Sequence, residues 1–373
     1  FRHWDLWTGK QGPEESSPVM VELHPGESLL LVSDFSQESS ARPEESLPSA
    51  MREVPVRLSA LHPEGKNVFP VDYCTLTVGD DCYQEIQVIA AGDVLFKKRG
   101  FPGNPWDNSI QFRSRIMDQN HFPEGSGFSL AYTFYVSSDW LPGTPVELIA
   151  ERGSFYALSC NGRKAEWSLP SAWLEKTAWC AEIGDLIQPG KNEILLTAPR
   201  FDVRLEPEAI YLRGDFSVLP EETQWRLHPP LPLNFGSWTE QGRPFYEGAC
   251  CYTFSFDLPE HCDRAWLELP KTESSCCAVW INDTFLGVDQ ASLFGPIPLH
   301  PYLRPGENKV LLRVCGSLRN LLGPHYDPGR PRNNVWPTDW KKAPKYRRPA
   351  PAQHDLISYG LLEMPHIYVP KHS

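Results

Sequence analysis

The sequence predicts an all-β chain in which two tandem β-sandwiches follow a smaller or partial β-sandwich segment. Three observations lead there. The 37 prolines and 26 glycines cut the 373 residues into short runs rich in Val, Ile, Leu, Phe, Tyr and Thr, the rhythm of strands joined by tight turns. Long stretches with the 3.6-residue period of a helix are absent,. An internal repeat then sets the architecture, because a chain segment that recurs in order folds as a repeated unit.

The first segment, residues 1–80, opens with HWDLWTGK and reaches VELHPGESLLLVSDF, in which the Pro25-Gly26-Glu27-Ser28 turn feeds one strand,. The acidic, serine-rich SQESSARPEESLPSA at 36–50 has few apolar anchors and reads as an exposed loop or linker,. The first sandwich is expected over 81–218. Its Tyr132-Thr133-Phe134-Tyr135-Val136 is followed by VELIAERGSFYALSCNGRKAE and then by IGDLIQPGKNEILLTA. The second is expected over 219–373, where Tyr252-Thr253-Phe254-Ser255-Phe256 precedes AWLELPKTESSCCAVWINDTFLG and IPLHPYLRPGENKVLLRV.

Three anchors keep nearly constant offsets: Tyr132 to Tyr252 is 120 residues, Asn161 to Asn282 is 121, and Asn192 to Asn308 is 116. Asn161-Gly162 and Asn282-Asp283 lie between apolar runs, where Asn, Asp and Gly tolerate the positive φ of a hairpin turn,. Gln188-Pro189-Gly190-Lys191-Asn192 and Arg304-Pro305-Gly306-Glu307-Asn308 put Pro then Gly at the centre of a turn that opens a strand,.

The pattern of a Y-T-F-x-F strand, an apolar strand, x-V-x-I/V-N-x-x-x-L-G and L-x-P-G-x-N resembles the jelly-roll, galactose-binding-like sugar-binding domain of glycoside hydrolase family 2 and its relatives. Similar domains trail the catalytic barrels of large rhamnosidase-like bacterial glycoside hydrolases. The second copy matches through Val279-Trp280-Ile281-Asn282-Asp283-Thr284-Phe285-Leu286-Gly287 and Leu303-Arg304-Pro305-Gly306-Glu307-Asn308. The first keeps the turn at Ser159-Cys160-Asn161-Gly162-Arg163-Lys164 but lacks the Leu-Gly ending. The likeness spans roughly 125–373, and residues 1–78 resemble the sandwich segment that often follows a glycosidase barrel. It implies a carbohydrate-associated accessory region with a catalytic domain elsewhere in the parent chain, and it leaves a structural calcium open, although no ligand cluster compels one.

Bulk properties exclude several partners. A formal net charge of −12 with no long basic stripe argues against nucleic acid and anionic membrane,. The dense basic segment Lys341, Lys342, Lys345, Arg347 and Arg348 is interrupted by Pro344 and Pro349 and reads as a solvated loop,. No run approaches a spanning helix, and FRHWDLWTGK has neither an initiator Met nor the order of a signal peptide, so the chain is expected to begin inside a longer polypeptide,. The ten cysteines include the vicinal pairs Cys250-Cys251 and Cys276-Cys277 and show no CxxC spacing. Adjacent strand residues face opposite ways. Reduced thiols, no zinc site and a reducing, cytoplasmic compartment are the expectation.

Catalytic signatures are thin. There is no GxSxG, GxxxxGKS/T or HExxH, no GxGxxG after a strand, and no strand-helix alternation that would hold two glycosidase carboxylates,. Arg213-Gly214-Asp215 follows an apolar run and ends a strand as an accidental tripeptide. Trp266 and Trp280, inside strands, are expected in the core. The 36-residue stretch from Gly323 to Ser358 has no obvious strand, and loops of that length are functional or disordered,. It interleaves Trp336, Trp340 and Tyr346 with polar groups, so Trp336 or Trp340 is the candidate stacking ring and His325, Asp339 and Arg330 are candidate hydroxyl partners,. The alternative has the loop pack across the sandwich or against a missing catalytic domain. Three functions compete: a non-catalytic accessory region, part of a glycosidase active site completed elsewhere, and a protein-binding structural module.

Overall fold

The computed structural model describes residues 2–4, 11–14, 20–21, 29–32, 50–107, 112–171, 173–259, 262–269, 272–289, 296–300, 302–326 and 343–371. The chain divides into two compact units, Phe1–Ala50 and Met51–Ser373. The first contains a three-stranded antiparallel sheet in the order Gln11–Glu14, Arg2–Trp4, Leu30–Val32. Residues 33–49, which hold nearly all of the expected linker, and the Pro25-Gly26 turn lie outside the described residues.

The second unit is all-β and holds two hydrophobic cores. Around the first core one sheet runs Leu169–Pro170, Ala178–Glu182, Val146–Glu151, Ile210–Gly214, Asn67–Val71. The facing sheet runs Arg163–Ala165, Ala157–Cys160, Gly190–Ala198, Phe128–Val136, Tyr73–Val78. Around the second core the order is Ile297–Pro298, Trp266–Glu268, His366–Pro370, Met51–Val54 against Thr284–Asp289, Cys276–Ile281, Glu307–Cys315, Ala249–Asp257, Val56–Pro63. Most strands of the two sandwiches correspond: Ala157–Cys160, Gly190–Ala198, Phe128–Val136 and Tyr73–Val78 follow the same order as Cys276–Ile281, Glu307–Cys315, Ala249–Asp257 and Val56–Pro63, whereas the facing sheets differ, with five strands in the first sandwich and four in the second. Along Phe128–Val136 the side chains of Phe128, Leu130, Tyr132, Phe134 and Val136 turn inward while the intervening ones are half-buried. Each such large apolar side chain contributes about 1.5–3 kcal/mol when fully buried.

The boundary placed at residue 80 does not separate a linker segment from a sandwich. Val56–Pro63 pairs with Ala249–Asp257 and Met51–Val54 pairs with His366–Pro370, so both belong to the second sandwich. Asn67–Val71 and Tyr73–Val78 belong to the first. The first sandwich is therefore inserted between the second and third strands of the second. Local patterning cannot reveal this, because an edge strand's partner far along the chain, such as Phe256 for Val56, leaves no mark on its own alternation,.

The repeat anchors form the same lock twice. Asn161 and Asn282 have φ of 52° and 47°, in the left-handed region that the hairpin turns demand. Asn161 Nδ2 donates to Asn192 Oδ1 at 2.7 Å, and Asn282 Nδ2 to Asn308 Oδ1 at 2.7 Å. In return the backbone N–H groups of Glu193 and Lys309 donate to the Asn161 and Asn282 side-chain oxygens. Asn192 and Asn308 each also close the turn before their strand, bonding the backbone of Gln188 and Gly190, or of Arg304 and Gly306. A buried amide must place its donors and acceptor on partners, and these two are 1% and 0% exposed.

A helix also stands where none was expected. Val88–Lys98 is a three-turn helix capped by the Gln87 side chain, which accepts from the backbone N–H groups of Ile89 and Ala90. Its buried Val88, Ala91, Gly92, Leu95 and Phe96 follow the i, i+3, i+4, i+7, i+8 spacing of one helix face,. The pattern is present in the sequence but short enough to be hidden among strands.

Candidate functional site

Between the two sandwiches lies a cavity of about 700 Å³, within the range of small-molecule sites. The first sandwich contributes Ile149 and Glu151 from the end of Val146–Glu151, Trp173, Leu174 and Glu175 from the connection that leads into Ala178–Glu182, and Glu208, Ala209 and Tyr211 beside Ile210–Gly214. The second contributes Ser317, Leu318, Arg319 and Leu322, which follow directly on the strand Glu307–Cys315.

The aromatic wall is held rigid. Trp173 Nε1 donates to Glu247 Oε1 at 3.0 Å, its ring meets Tyr211 edge-on at 5.3 Å, and the Arg213 guanidinium lies 4.6 Å from its centroid. Arg213 thus works as a support for a tryptophan inside the fold. Burial pushes the Tyr211 hydroxyl well above its ordinary range, so it stays protonated. Leu174, with φ of 61° and 40% exposed, is a strained apolar side chain on the rim,.

The carboxylates are placed as acceptors. Glu175 accepts from both the hydroxyl and the backbone N–H of Thr177, and these bonds hold its carboxyl below the usual range. Glu151 accepts from the Thr177 hydroxyl at 3.2 Å and faces Arg152 Nε at 3.2 Å. Glycoside hydrolysis needs one carboxyl kept protonated by a raised pKa; Glu175 is shifted the other way. On the opposite wall Arg319 is 8% exposed at its side chain and is committed to the Asp355 carboxylate and to the backbone carbonyls of Gly323 and Asp355.

The sequence-derived site residues fare differently. Arg330, Trp336, Asp339 and Trp340 lie in 327–342, outside the described residues. His325 is 6% exposed and its Nε2 pairs with the Asp72 carboxylate, with the His354 ring 5.0 Å away. That engagement removes it from the groups open to a sugar hydroxyl. The far end of the same loop packs across the first sandwich: Gln87 N–H donates to the Lys345 carbonyl, Arg347 N–H to that of Glu85, and Arg348 Nη2 to that of Thr133. Of the expected core tryptophans, Trp266 is 1% exposed, whereas Trp280 is half-buried beside Phe285.

Trp173 was within reach of sequence reasoning. It stands in SLPSAWLEKTAW, outside any long apolar run and two residues before Glu175, an aromatic and polar mix like that around Trp336 and Trp340 but in a much shorter stretch. Tyr211 and Glu208 carried no such signal, since only the packing of one sandwich on the other brings them to a cavity.

Among the described residues Glu147, Cys180 and Glu182 bring metal-type ligand atoms within 4.8 Å of one another. Glu147 already pairs with Lys66 at 2.7 Å and Arg213 at 3.4 Å. A thiol donor and two neutralising cations do not suit calcium, which takes six to eight oxygens.

No protein-family model matches the chain, and no curated protein matches it. Among solved structures it is similar to a rhamnosidase from Novosphingobium sp. PP1Y, at 14% identity over 70% of this chain and 26% of that one, with a TM-score of 0.26. It is also similar to a β-D-mannosidase from Dictyoglomus thermophilum, at 11% identity over 70% of this chain and 32% of that one, TM-score 0.26. A putative β-galactosidase from Bacteroides fragilis matches at 10% identity over 72% and 36%, TM-score 0.24. The chain therefore spans between 26% and 36% of the length of these structures. Scores and identities this low assign neither a family nor an activity.

Proposed function

We propose that this chain is a non-catalytic, carbohydrate-binding accessory region of a larger glycoside hydrolase, and that a small saccharide occupies the cavity between its two sandwiches. The observation that carries the reading is the lining: a fixed Trp173–Tyr211 wall beside Glu151, Glu175 and Glu208. Sugar C–H faces stack on aromatic rings while carboxylates accept from hydroxyls. The resemblance of the Asn282 and Asn308 motifs to glycoside hydrolase family 2 sugar-binding domains supports the carbohydrate assignment. Gly323 leads from the cavity wall into the stretch that carries Arg330, Trp336, Asp339 and Trp340, and these remain candidate second contributors to the site.

The test is calorimetric titration of the folded chain with neutral, amino and uronic saccharides. Trp173→Ala is expected to weaken binding about thirtyfold, equivalent to about 2 kcal/mol for a stacking ring. The carboxylate-rich wall should disfavour a uronic sugar at least about tenfold against its neutral counterpart. Trp336→Ala and Trp340→Ala locate the other half of the site. Binding unchanged by Trp173→Ala would move the site out of the cavity.

A second reading has a specific observation in its favour. Residues 343–358 are bonded to the first sandwich at several points, as a scaffold that braces one sandwich against the other would require. No saccharide bound by the wild-type chain leaves that scaffold role as the function.

A further inference from the structure

We propose that Cys276 and Cys315 form a reversible cross-strand dithiol, which a low-molecular-weight disulfide such as oxidised glutathione converts to an intrachain disulfide. In the antiparallel pair Cys276–Ile281 and Glu307–Cys315, Cys276 stands directly opposite Cys315. Side chains directly opposed on neighbouring strands have Cβ atoms about 4.5–5.5 Å apart. A disulfide needs about 3.5–4.5 Å, so closing the bond asks for a strand movement of about 1 Å or less.

The alternation of the sheet sorts the neighbouring cysteines by face. Cys250 and Cys277 are both 0% exposed in the core and flank Val314 from opposite strands. Two strand spacings separate them, about 9.5 Å, which no disulfide bridges. Cys251 faces Arg313 and donates to Glu64 Oε1 at 3.2 Å. Cys276 and Cys315 are both half-buried, open to a small reagent.

The surroundings hold Cys315 in place. Arg313 Nη1 donates to Cys315 Sγ at 3.2 Å, while the same guanidinium clasps the Glu64 carboxylate at 2.7–2.9 Å. Burial and the adjacent Cys276 thiol raise the Cys315 pKa, so exchange begins only from the minor thiolate form. Cys315 also ends the strand from which Ser317 to Leu322 continue as the cavity wall; a covalent link would fix that strand end.

The chemistry balances as thiol–disulfide exchange. One thiolate attacks a sulfur of oxidised glutathione, releasing one glutathione and leaving a mixed disulfide. The second attacks the protein sulfur of that mixed disulfide and displaces the other glutathione. Two electrons and two protons pass from the cysteine pair to two glutathione molecules.

The experiment equilibrates the native chain with glutathione buffers of increasing oxidation, quenches with acid, and maps thiols by alkylation and mass spectrometry. The expected result is a Cys276–Cys315 linked peptide that lacks two hydrogens and reverts on reduction. Cys315→Ser should leave Cys276 carrying one glutathione, and Cys276→Ala provides a second variant without the pair. Exposed Cys82, opposite Thr77, reports simple glutathionylation. Recovery of both cysteines free in the most oxidising buffer, each capped by glutathione, or linked to a different cysteine, overturns the proposal.

Discussion

Replacing Asn308 with Ala tests both the lock and the inserted topology. The side chain is 0% exposed and makes four hydrogen bonds: to the carbonyls of Arg304 and Gly306, and from Arg304 N–H and Asn282 Nδ2, all between 2.7 and 2.9 Å. At a net value of about 1 kcal/mol each, their loss costs about 4 kcal/mol, near a thousandfold in the folding equilibrium of that sandwich. Asn282 Nδ2 keeps its bond to the Tyr302 carbonyl but loses the one to Asn308, and at 8% exposure water replaces it poorly, which keeps the figure from falling lower. Native-state hydrogen exchange read by mass spectrometry is the assay, because it assigns the loss to segments. Protection should fall in Ala249–Asp257, Cys276–Ile281 and Glu307–Cys315, and together with them in the distant Val56–Pro63, which pairs with Ala249–Asp257. Tyr73–Val78, close to that strand in sequence, should keep its protection because it pairs with Phe128–Val136. Asn192→Ala should produce the mirror image. A cost below about 1 kcal/mol, or equal loss in Val56–Pro63 and Tyr73–Val78, would refute the reasoning.

Acidification should loosen the loop from the first sandwich. Burial and the neighbouring His325 lower the His354 pKa to about 4, beside Asp72 and the Trp225 and Phe245 rings. Between pH 6.5 and 4 the unfolded chain binds this proton and the folded chain does not, so stability is full above pH 6.5 and falls by up to about 3 kcal/mol toward pH 4. Asp72, whose pKa is also lowered, adds a further loss below the ordinary carboxyl range. Urea midpoints at pH 7.5 and 5 should differ in the wild type and converge in His354→Gln. Arg319→Ala removes the guanidinium that donates to the Asp355 carboxylate and to the Gly323 and Asp355 carbonyls. A cost of about 3 kcal/mol is expected, read as a lowered thermal midpoint; an unchanged midpoint would mean the pair contributes nothing.

What was legible in the sequence is what local chemistry dictates. Asn161-Gly162 and Asn282-Asp283 announce hairpin turns because few residues accept a positive φ, and the Pro-Gly segments before Asn192 and Asn308 announce turns for the same kind of reason. Strand alternation and the repeat then suffice for an all-β chain of tandem sandwiches. The reduced state expected of the vicinal cysteines rests on the same alternation, and Cys250 and Cys251 do face opposite sides of their strand, one toward the core and one toward Glu64. Tertiary structure alone decided which strands share a sheet. Val56–Pro63 and Tyr73–Val78 lie close together in sequence yet belong to different sandwiches, since partner choice is settled by which distant strand buries the inward face. The cavity is of the same kind: Glu151, Trp173, Tyr211 and Arg319 are ordinary residues in four separate segments. Only the packing of one repeat against the other brings them together, and only burial turned His325 from a sugar-binding candidate into the partner of Asp72.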